Sequence, residues 1–408
     1  MLTQSTARGA IILSFVAALE IVIMISPFAA FFYSVFNPIL LSLNQSPATR
    51  WLTAFFLPHM IVPPNEVLAG IRVAGSVLFL TGLAVFLLCA VQVYYGKLRK
   101  WGRAERGFYR IIRHPQYAAL GMAAIGLAIM WPRMLTLVLL AVMFLLYYTL
   151  ARDEERRMRN QYGESYSKYL DRVGMFFPRF GNRAGSEASP NSGSGAGGRV
   201  AGLFVILLVL LAGCGFALRC YTVSTLPLSE VSGVDVLAIS PDDSEQVRDL
   251  MPAVLADSSV AARVREIKAH SGGRLLAYFM PVDYVMQGMI ANTGEEWKLF
   301  EQHKTIGMIT EYILHPFAHL SGGHSHHMMA GMSHGPEMYA LPMMKRRVIF
   351  VEVGEEQTGL SSPQDDFGIN VRRVPHFFAD VHLHTGEVTQ VKDTPEGSGW
   401  GAVPTPVF

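Results

Sequence analysis

Two charged, aromatic-rich stretches of this chain enclose an apolar segment: GFYRIIRHPQYAALG at residues 107–121 and ARDEERRMRNQYGESYSKYLDRVGMFFPRF at residues 151–180. Residues 117–150 between them read as two short apolar helices separated at Pro132, because proline ends one helix and a tight turn starts the next. A helical hairpin of this kind returns the chain to the membrane surface that it left. The sequence therefore predicts that RHPQY at the hairpin entrance and the paired glutamates at its exit line one charged pocket.

The composition indicates a membrane protein. Hydrophobic residues make up 51% of the 408 residues and charged residues 16%, against roughly a quarter charged in ordinary soluble domains. A net charge of +2 gives no sign of nucleic acid as a partner, so we expect none. The three cysteines lack the CxxC spacing of zinc or redox sites and are too few for a disulfide framework.

Apolar runs divide the chain into membrane spans. Residues 9–36 and 67–95 are each long enough to cross a hydrocarbon core of about 30 Å, and the hairpin follows at 117–150. Residues 181–199 are rich in Gly, Ser and Asn and predict a flexible linker, after which 200–218 forms another span. The expected fold is an all-α multi-pass membrane domain over the first 180 residues, then a linker, a single span and an extracytoplasmic α/β domain.

Loop charges predict the orientation, because Lys and Arg accumulate on the cytoplasmic side. Seven basic residues lie in 96–116 and seven more follow the hairpin in 151–180, whereas the loop at 37–66 carries only Arg50. The charged pocket is thus predicted at the cytoplasmic face, and residues 219–408 on the opposite side. We expect an integral protein of a bacterial inner membrane, and the sequence leaves its oligomeric state open.

The α/β prediction for residues 219–408 rests on a few local patterns. Residues 234–239 resemble a strand, and Ser240 followed by Pro241 resembles a capped helix start. Short apolar runs predict buried strands at 275–280 and 348–353, and VHLH at 381–384 alternates like a half-exposed strand.

The motifs around the hairpin resemble those of a known enzyme family. RHPQY at 113–117, EE at 154–155, YGESYSKY at 162–169 and FPRF at 177–180 occur in the order and spacing of the isoprenylcysteine carboxyl methyltransferases and phospholipid N-methyltransferases. The resemblance covers about residues 100–180. It departs from the family pattern at Ala119, where the family has glycine, and at Phe108, where proline is usual.

This resemblance implies that S-adenosylmethionine binds between the cytoplasmic ends of the hairpin and donates a methyl group to a membrane lipid or lipidated acceptor. The acceptor would be an isoprenylcysteine-like carboxylate or a phospholipid amine, and the sequence does not choose. The cofactor is a zwitterion with a sulfonium, which cationic, anionic and aromatic side chains can recognise together. The implied cofactor-binding residues are Arg113, His114, Pro115, Tyr117, Glu154 and Glu155, of which Arg113 and Glu155 are also the predicted catalytic residues.

Residues 152–172 predict an interfacial amphipathic helix with Met158, Tyr162, Tyr166 and Tyr169 against the membrane, covering the pocket.

Two other functions remain open on the sequence. Sterol and steroid reductases share the hairpin architecture and bind NADPH there. The other alternative is a metal-handling membrane protein, because residues 315–344 gather six histidines and six methionines and imidazole with thioether suits copper. The candidate copper ligands are His324, His326, His327 and His334, and His382 and His384 share a predicted strand face.

Overall fold

The computed structural model describes seven stretches of the chain and divides the chain into two compact units. The described residues are 25–99, 105–179, 196–271, 274–284, 287–293, 344–354 and 362–395. The first unit comprises Met1–Ser34 and Gly70–Ala217, and the second comprises Val35–Ala69 and Leu218–Phe408. The domain boundaries predicted from the sequence stay a prediction.

Helices dominate the first unit and also occur in the second, which contains α2, α3, α9 and α10. In chain order the described helices are α1 Ile25–Val35, α2 Asn37–Gln45, α3 Pro47–Arg50, α4 Glu66–Leu98, α5 Pro115–Met130, α6 Met134–Tyr162, α7 Glu164–Arg172, α8 Ala196–Ser224, α9 Pro241–Ala256 and α10 Ser258–Ser271. Among the described residues, three helices are long and apolar enough to cross a membrane, Glu66–Gly96, Met134–Tyr162 and Gly198–Ser224. The bent pair Ile25–Val35 and Pro38–Gln45 would make a fourth if it is one span.

The predicted helical hairpin is present as α5 and α6. Helix α5 begins at Pro115, in the first helical position where its missing N–H costs nothing. It ends at Met130, and α6 begins at Met134 after the predicted break. Helix α5 has only 16 residues, so at about 1.5 Å per residue it is shorter than a hydrocarbon core.

Helices α4 and α5 approach each other closely at glycines. A Cβ atom added to Gly82 of α4 would lie 2.5 Å from the backbone N of Ala123 and 2.6 Å from the backbone O of Ala119. A Cβ at Gly126 of α5 would lie 2.4 Å from the backbone N of Phe79. Small residues let membrane helices pack backbone to backbone. This packing holds α5, and with it the pocket entrance, against α4.

Gly82→Ala should therefore destabilise the first unit, because the new methyl group would overlap backbone that cannot move aside. Overpacking of this kind costs about 1–3 kcal/mol. Thermal unfolding of the detergent-purified protein should show a lower Tm for Gly82→Ala. Gly70→Ala is the matched control in the same helix, since a Cβ there meets nothing within 4 Å. Equal Tm values for the two variants would contradict the close packing.

A six-stranded mixed sheet forms the second unit. Its strands are β1 Leu228–Val231, β2 Val234–Ala238, β3 Arg274–Pro281, β4 Lys345–Gly354, β5 Arg372–His382 and β6 Val388–Asp393. The described strands lie in sequence order, and among them only β2 and β3 are parallel. That parallel pair needs a crossover, which α9 and α10 supply. Alternate side chains of β2 to β5, among them Val236, Phe279, Phe350 and Phe377, pack with these helices into one apolar core.

The segment between α1 and α4 belongs to the second unit. The backbone N–H of Val62 donates to the carbonyl of Ile239 over 2.8 Å, and the Tyr284 hydroxyl donates to the carbonyl of Met60 over 2.6 Å. Buried Arg219 donates to the carbonyls of Phe55 and Phe367. Two distant parts of the chain thus build one folded body.

Most sequence predictions for the second unit are confirmed. Ser240 caps α9, where its side chain accepts a hydrogen bond from Asp243 N over 3.1 Å, and the three apolar runs form β2, β3 and β4. The prediction that His382 and His384 share a strand face is wrong. Strand β5 ends at His382, because the chain then turns through Gly386 with φ of 67° toward β6. His384 lies in that turn, with its N–H 3.3 Å from His382 Nδ1.

Candidate active site

Two adjacent residues before α5 meet two adjacent glutamates near the end of α6. His114 Nε2 lies 3.2 Å from Glu155 Oε1, and its Nδ1 lies 3.5 Å from Glu154 Oε2. Arg113 Nε lies 3.2 Å from the same Glu155 oxygen. The hairpin therefore brings together the two halves of the motif that the sequence predicts to share a pocket.

Two carboxylates favour the charged form of His114. Burial by itself lowers the pKa of His114, but the contacts with Glu154 and Glu155 outweigh burial, and the pKa is raised above its ordinary value. An imidazolium donates from both ring nitrogens, which suits its position between two carboxylates.

The two glutamates differ in exposure. The Glu155 side chain is 10% exposed and contacts both Arg113 and His114, whereas the Glu154 side chain is 47% exposed. Glu155 balances buried charge inside the protein. Glu154 is the carboxylate of the pair that a bound molecule can reach.

Aromatic rings extend from His114 along the hairpin. The ring of Tyr117 stacks on that of His114 with centroids 5.8 Å apart, and on that of Tyr147 at 5.2 Å. The ring of Phe176 lies 5.9 Å from that of His114. Tyr147 belongs to α6, and its hydroxyl lies 3.3 Å from Ser26 Oγ. The rings of His114, Tyr117 and Tyr147 therefore form a stack, with Phe176 beside His114; the aromatic-lined pocket itself stays a prediction.

Helix α7 packs beside this cluster. Gly163, with φ of 58°, separates α6 from α7. Tyr166 and Tyr169 are buried with Leu170 and Val173. The prediction that these two tyrosines face the membrane is wrong, because they form a small core within the protein. Tyr162, by contrast, is 37% exposed.

Sequence reasoning missed two contributors to the site. Tyr147 lies in an apolar run and reads as part of a span. Phe176 lies in VGMFFPRF, where only FPRF matches a family motif. The aromatic residues in VGMFFPRF indicate that a ring could contribute to the site, but they do not show which ring contacts His114.

Comparison with known proteins bears on this part of the chain. Residues 66–165 match the phospholipid methyltransferase family. The resemblance that the sequence motifs carry is thereby confirmed for this segment, which contains Arg113, His114, Tyr117 and both glutamates. No significant match was found among curated proteins or among solved structures.

The side chains present fit the cofactor that this family implies. A zwitterionic amino acid group needs a cation and an anion near each other. Arg113 and His114 contact the same oxygen of Glu155, and half-exposed Glu154 contacts His114. A sulfonium favours aromatic surroundings, which Tyr117 and Tyr147 supply. Pro115 contributes by starting α5 directly after His114 rather than by contact chemistry.

The predicted copper ligands lie outside the described residues. His324, His326, His327 and His334 fall within 294–343, which the structure does not describe. In the described part of the chain there is no group of three or more metal-ligating His, Cys, Asp or Glu side chains. Copper binding stays an untested prediction.

Proposed function

We propose that this protein transfers a methyl group from S-adenosylmethionine to a lipid-type acceptor at the membrane. The observation that carries the proposal is the meeting of Arg113, His114, Glu154 and Glu155 at the open ends of a hairpin within the segment that matches the phospholipid methyltransferases. A lipid acceptor is supported by the apolar helices around the site.

Each residue has a role that its surroundings support. Glu154 binds the ammonium group of the cofactor, and Arg113 binds its carboxylate, as charge-assisted hydrogen bonds. Glu155 holds Arg113 and His114 in place. The cofactor, when bound, would supply an electrophilic methyl group: the acceptor would form a bond to the methyl carbon in line with the carbon–sulfur bond, which breaks as the thioether leaves. Orientation of the acceptor against that group accounts for about 7–11 kcal/mol of the barrier in well-aligned reactions.

We propose that the site lies at the cytoplasmic face. Loop charges support this assignment, because seven basic residues lie in 96–116 and seven more in 151–180, and basic residues accumulate on the cytoplasmic side.

The acceptor can be a phospholipid amine or a prenylated cysteine carboxylate. An amine must lose a proton before it attacks, whereas a carboxylate need not. Because its contacts with both glutamates raise the pKa of His114 and favour the imidazolium, His114 is poorly placed to act as the base. An amine acceptor would therefore have to lose its proton to Glu154 or to water.

Transfer of tritium from labelled S-adenosylmethionine should test the function. Purified protein is incubated with phosphatidylethanolamine vesicles or with a farnesylated cysteine peptide, and label is counted in the organic phase. We expect label in one acceptor and a loss of at least tenfold with Glu154→Gln. If neither acceptor is labelled and the protein binds NADPH, the methyltransferase proposal is wrong and a reductase is the better assignment.

A further inference from the structure

The backbone of the RHP motif pairs with a short segment that follows α7. The N–H of Arg113 donates to the carbonyl of Gly174 over 2.9 Å, and the N–H of His114 donates to the carbonyl of Met175 over 3.2 Å. Ile112 and Gly174 form a parallel β-bridge. We name residues 173–176 the strap. It fixes the backbone from which the two cationic side chains project.

The strap is anchored at both ends. On the α7 side, the Tyr169 hydroxyl donates to the carbonyl of Tyr109 over 2.6 Å, which ties α7 to the stretch before Arg113. Beyond the strap, Arg179 Nη1 donates to the carbonyl of Asp171 over 2.7 Å at the end of α7. The strap also places the ring of Phe176 against His114.

Gly174 has no room for a side chain. A Cβ there would lie 2.0 Å from the backbone O of Phe177 and 3.2 Å from its carbonyl carbon. Backbone atoms cannot rotate away as a flexible side chain can. Any other residue would have to open the turn from Gly174 to Phe177 and move the carbonyls that hold Arg113 and His114.

We propose that the strap positions Arg113 and His114 for cofactor binding, and that Gly174 is the positioning residue on which it depends. The proposal rests on the proposed function of the site. Residues 173–176 carry no charged side chain. Its effect on binding is transmitted through the two hydrogen bonds to the backbone of the RHP motif.

Gly174→Ala in the full-length protein is the test, with Gly202→Ala as control because a Cβ at Gly202 meets nothing within 4 Å. For Gly174→Ala we expect the KM for S-adenosylmethionine to rise at least tenfold while kcat changes less than threefold. The titration of His114, followed by NMR of ¹³C-labelled histidine and assigned with His114→Gln, should shift back toward an ordinary histidine. Gly202→Ala should match the parent in both measurements.

Unchanged KM and unchanged His114 titration in a folded Gly174→Ala protein would overturn the proposal. If Gly174→Ala does not fold, Tyr169→Phe is the second variant. It removes one oxygen atom and with it the hydrogen bond to the carbonyl of Tyr109, and the same two measurements are made on it. The NMR titration does not need the cofactor. If the parent protein binds no S-adenosylmethionine but Gly174→Ala still shifts the His114 titration, the proposed function is wrong. The strap would then still be shown to position His114.

Discussion

Glu155→Gln should destabilise the first unit, whereas Glu154→Gln should weaken cofactor binding and cost much less stability. Glu155 is buried and is the shared partner of Arg113 and His114. Removing one partner of a buried charge pair costs about 3–5 kcal/mol, because the remaining charge is left buried. Glu154 is 47% exposed, and without it His114 still contacts Glu155. Glu154→Gln removes a charge-assisted hydrogen bond to the ligand, worth about 1.5–3 kcal/mol, or roughly tenfold to a hundredfold in Kd.

Thermal unfolding and titration of S-adenosylmethionine into each variant measure the two effects separately. Glu164→Gln is the control, because Glu164 forms an ion pair with Lys168 over 3.0 Å and both side chains are more than 70% exposed. We expect its Tm and Kd to match those of the parent. Normal stability of Glu155→Gln together with normal binding by Glu154→Gln would contradict the roles assigned to the two carboxylates.

Arg347→Met should be the most destabilising single change in the second unit. Arg347 is 1% exposed and forms two hydrogen bonds with Asp380, at 2.7 Å and 2.8 Å, and a third with Gln287 at 2.9 Å. Its guanidinium also lies 4.3 Å from the centre of the Phe378 ring. The variant leaves Asp380 buried without its cation, at a cost of about 3–5 kcal/mol.

Hydrogen exchange of the full-length protein, measured by mass spectrometry, reports this unit separately from the helices. In β4 and β5 we expect exchange to accelerate by about a hundredfold or more, the equivalent of about 3 kcal/mol. Arg347→Met combined with Asp380→Leu should recover most of the protection, since replacing both partners removes the unpaired charge. Arg263→Met breaks an exposed pair with Asp393 and should change exchange by less than about 1 kcal/mol. Similar exchange in Arg347→Met and Arg263→Met would show that the buried pair contributes little.

Local features of this protein could be predicted from its sequence. The hairpin break at Pro132, the cap at Ser240 and three apolar strands are each signalled within a few residues. The motifs at 113–117 and 154–155 could also be paired, because a hairpin returns the chain to its starting surface. The different roles of Glu154 and Glu155 could not be predicted. They follow from the difference in exposure of the two side chains, which depends on packing around the end of the hairpin.

Long-range features left little trace in the sequence. Strand β5 contains Pro375, and proline within a run argues against a strand; here it lies beside the register shift between Phe350 and Val351, where the ladder is already irregular. Residues 37–66, which make up most of the segment Val35–Ala69, read as a loop between spans. The burial of this segment in the second unit, with Phe55 and Ile61 fully covered, depends on residues more than 150 positions away. The strap acts through backbone atoms, which no side-chain pattern reveals.

Isothermal titration of S-adenosylmethionine into detergent-purified protein tests the central claim most directly. The parent protein should bind the cofactor at one site, and a Glu154→Gln, Glu155→Gln double variant should show no measurable heat of binding. The Glu164→Gln protein should bind as the parent does. Absence of binding to the parent protein, or equal binding by the parent and the double variant, would contradict the assignment of this hairpin as a methyltransferase site.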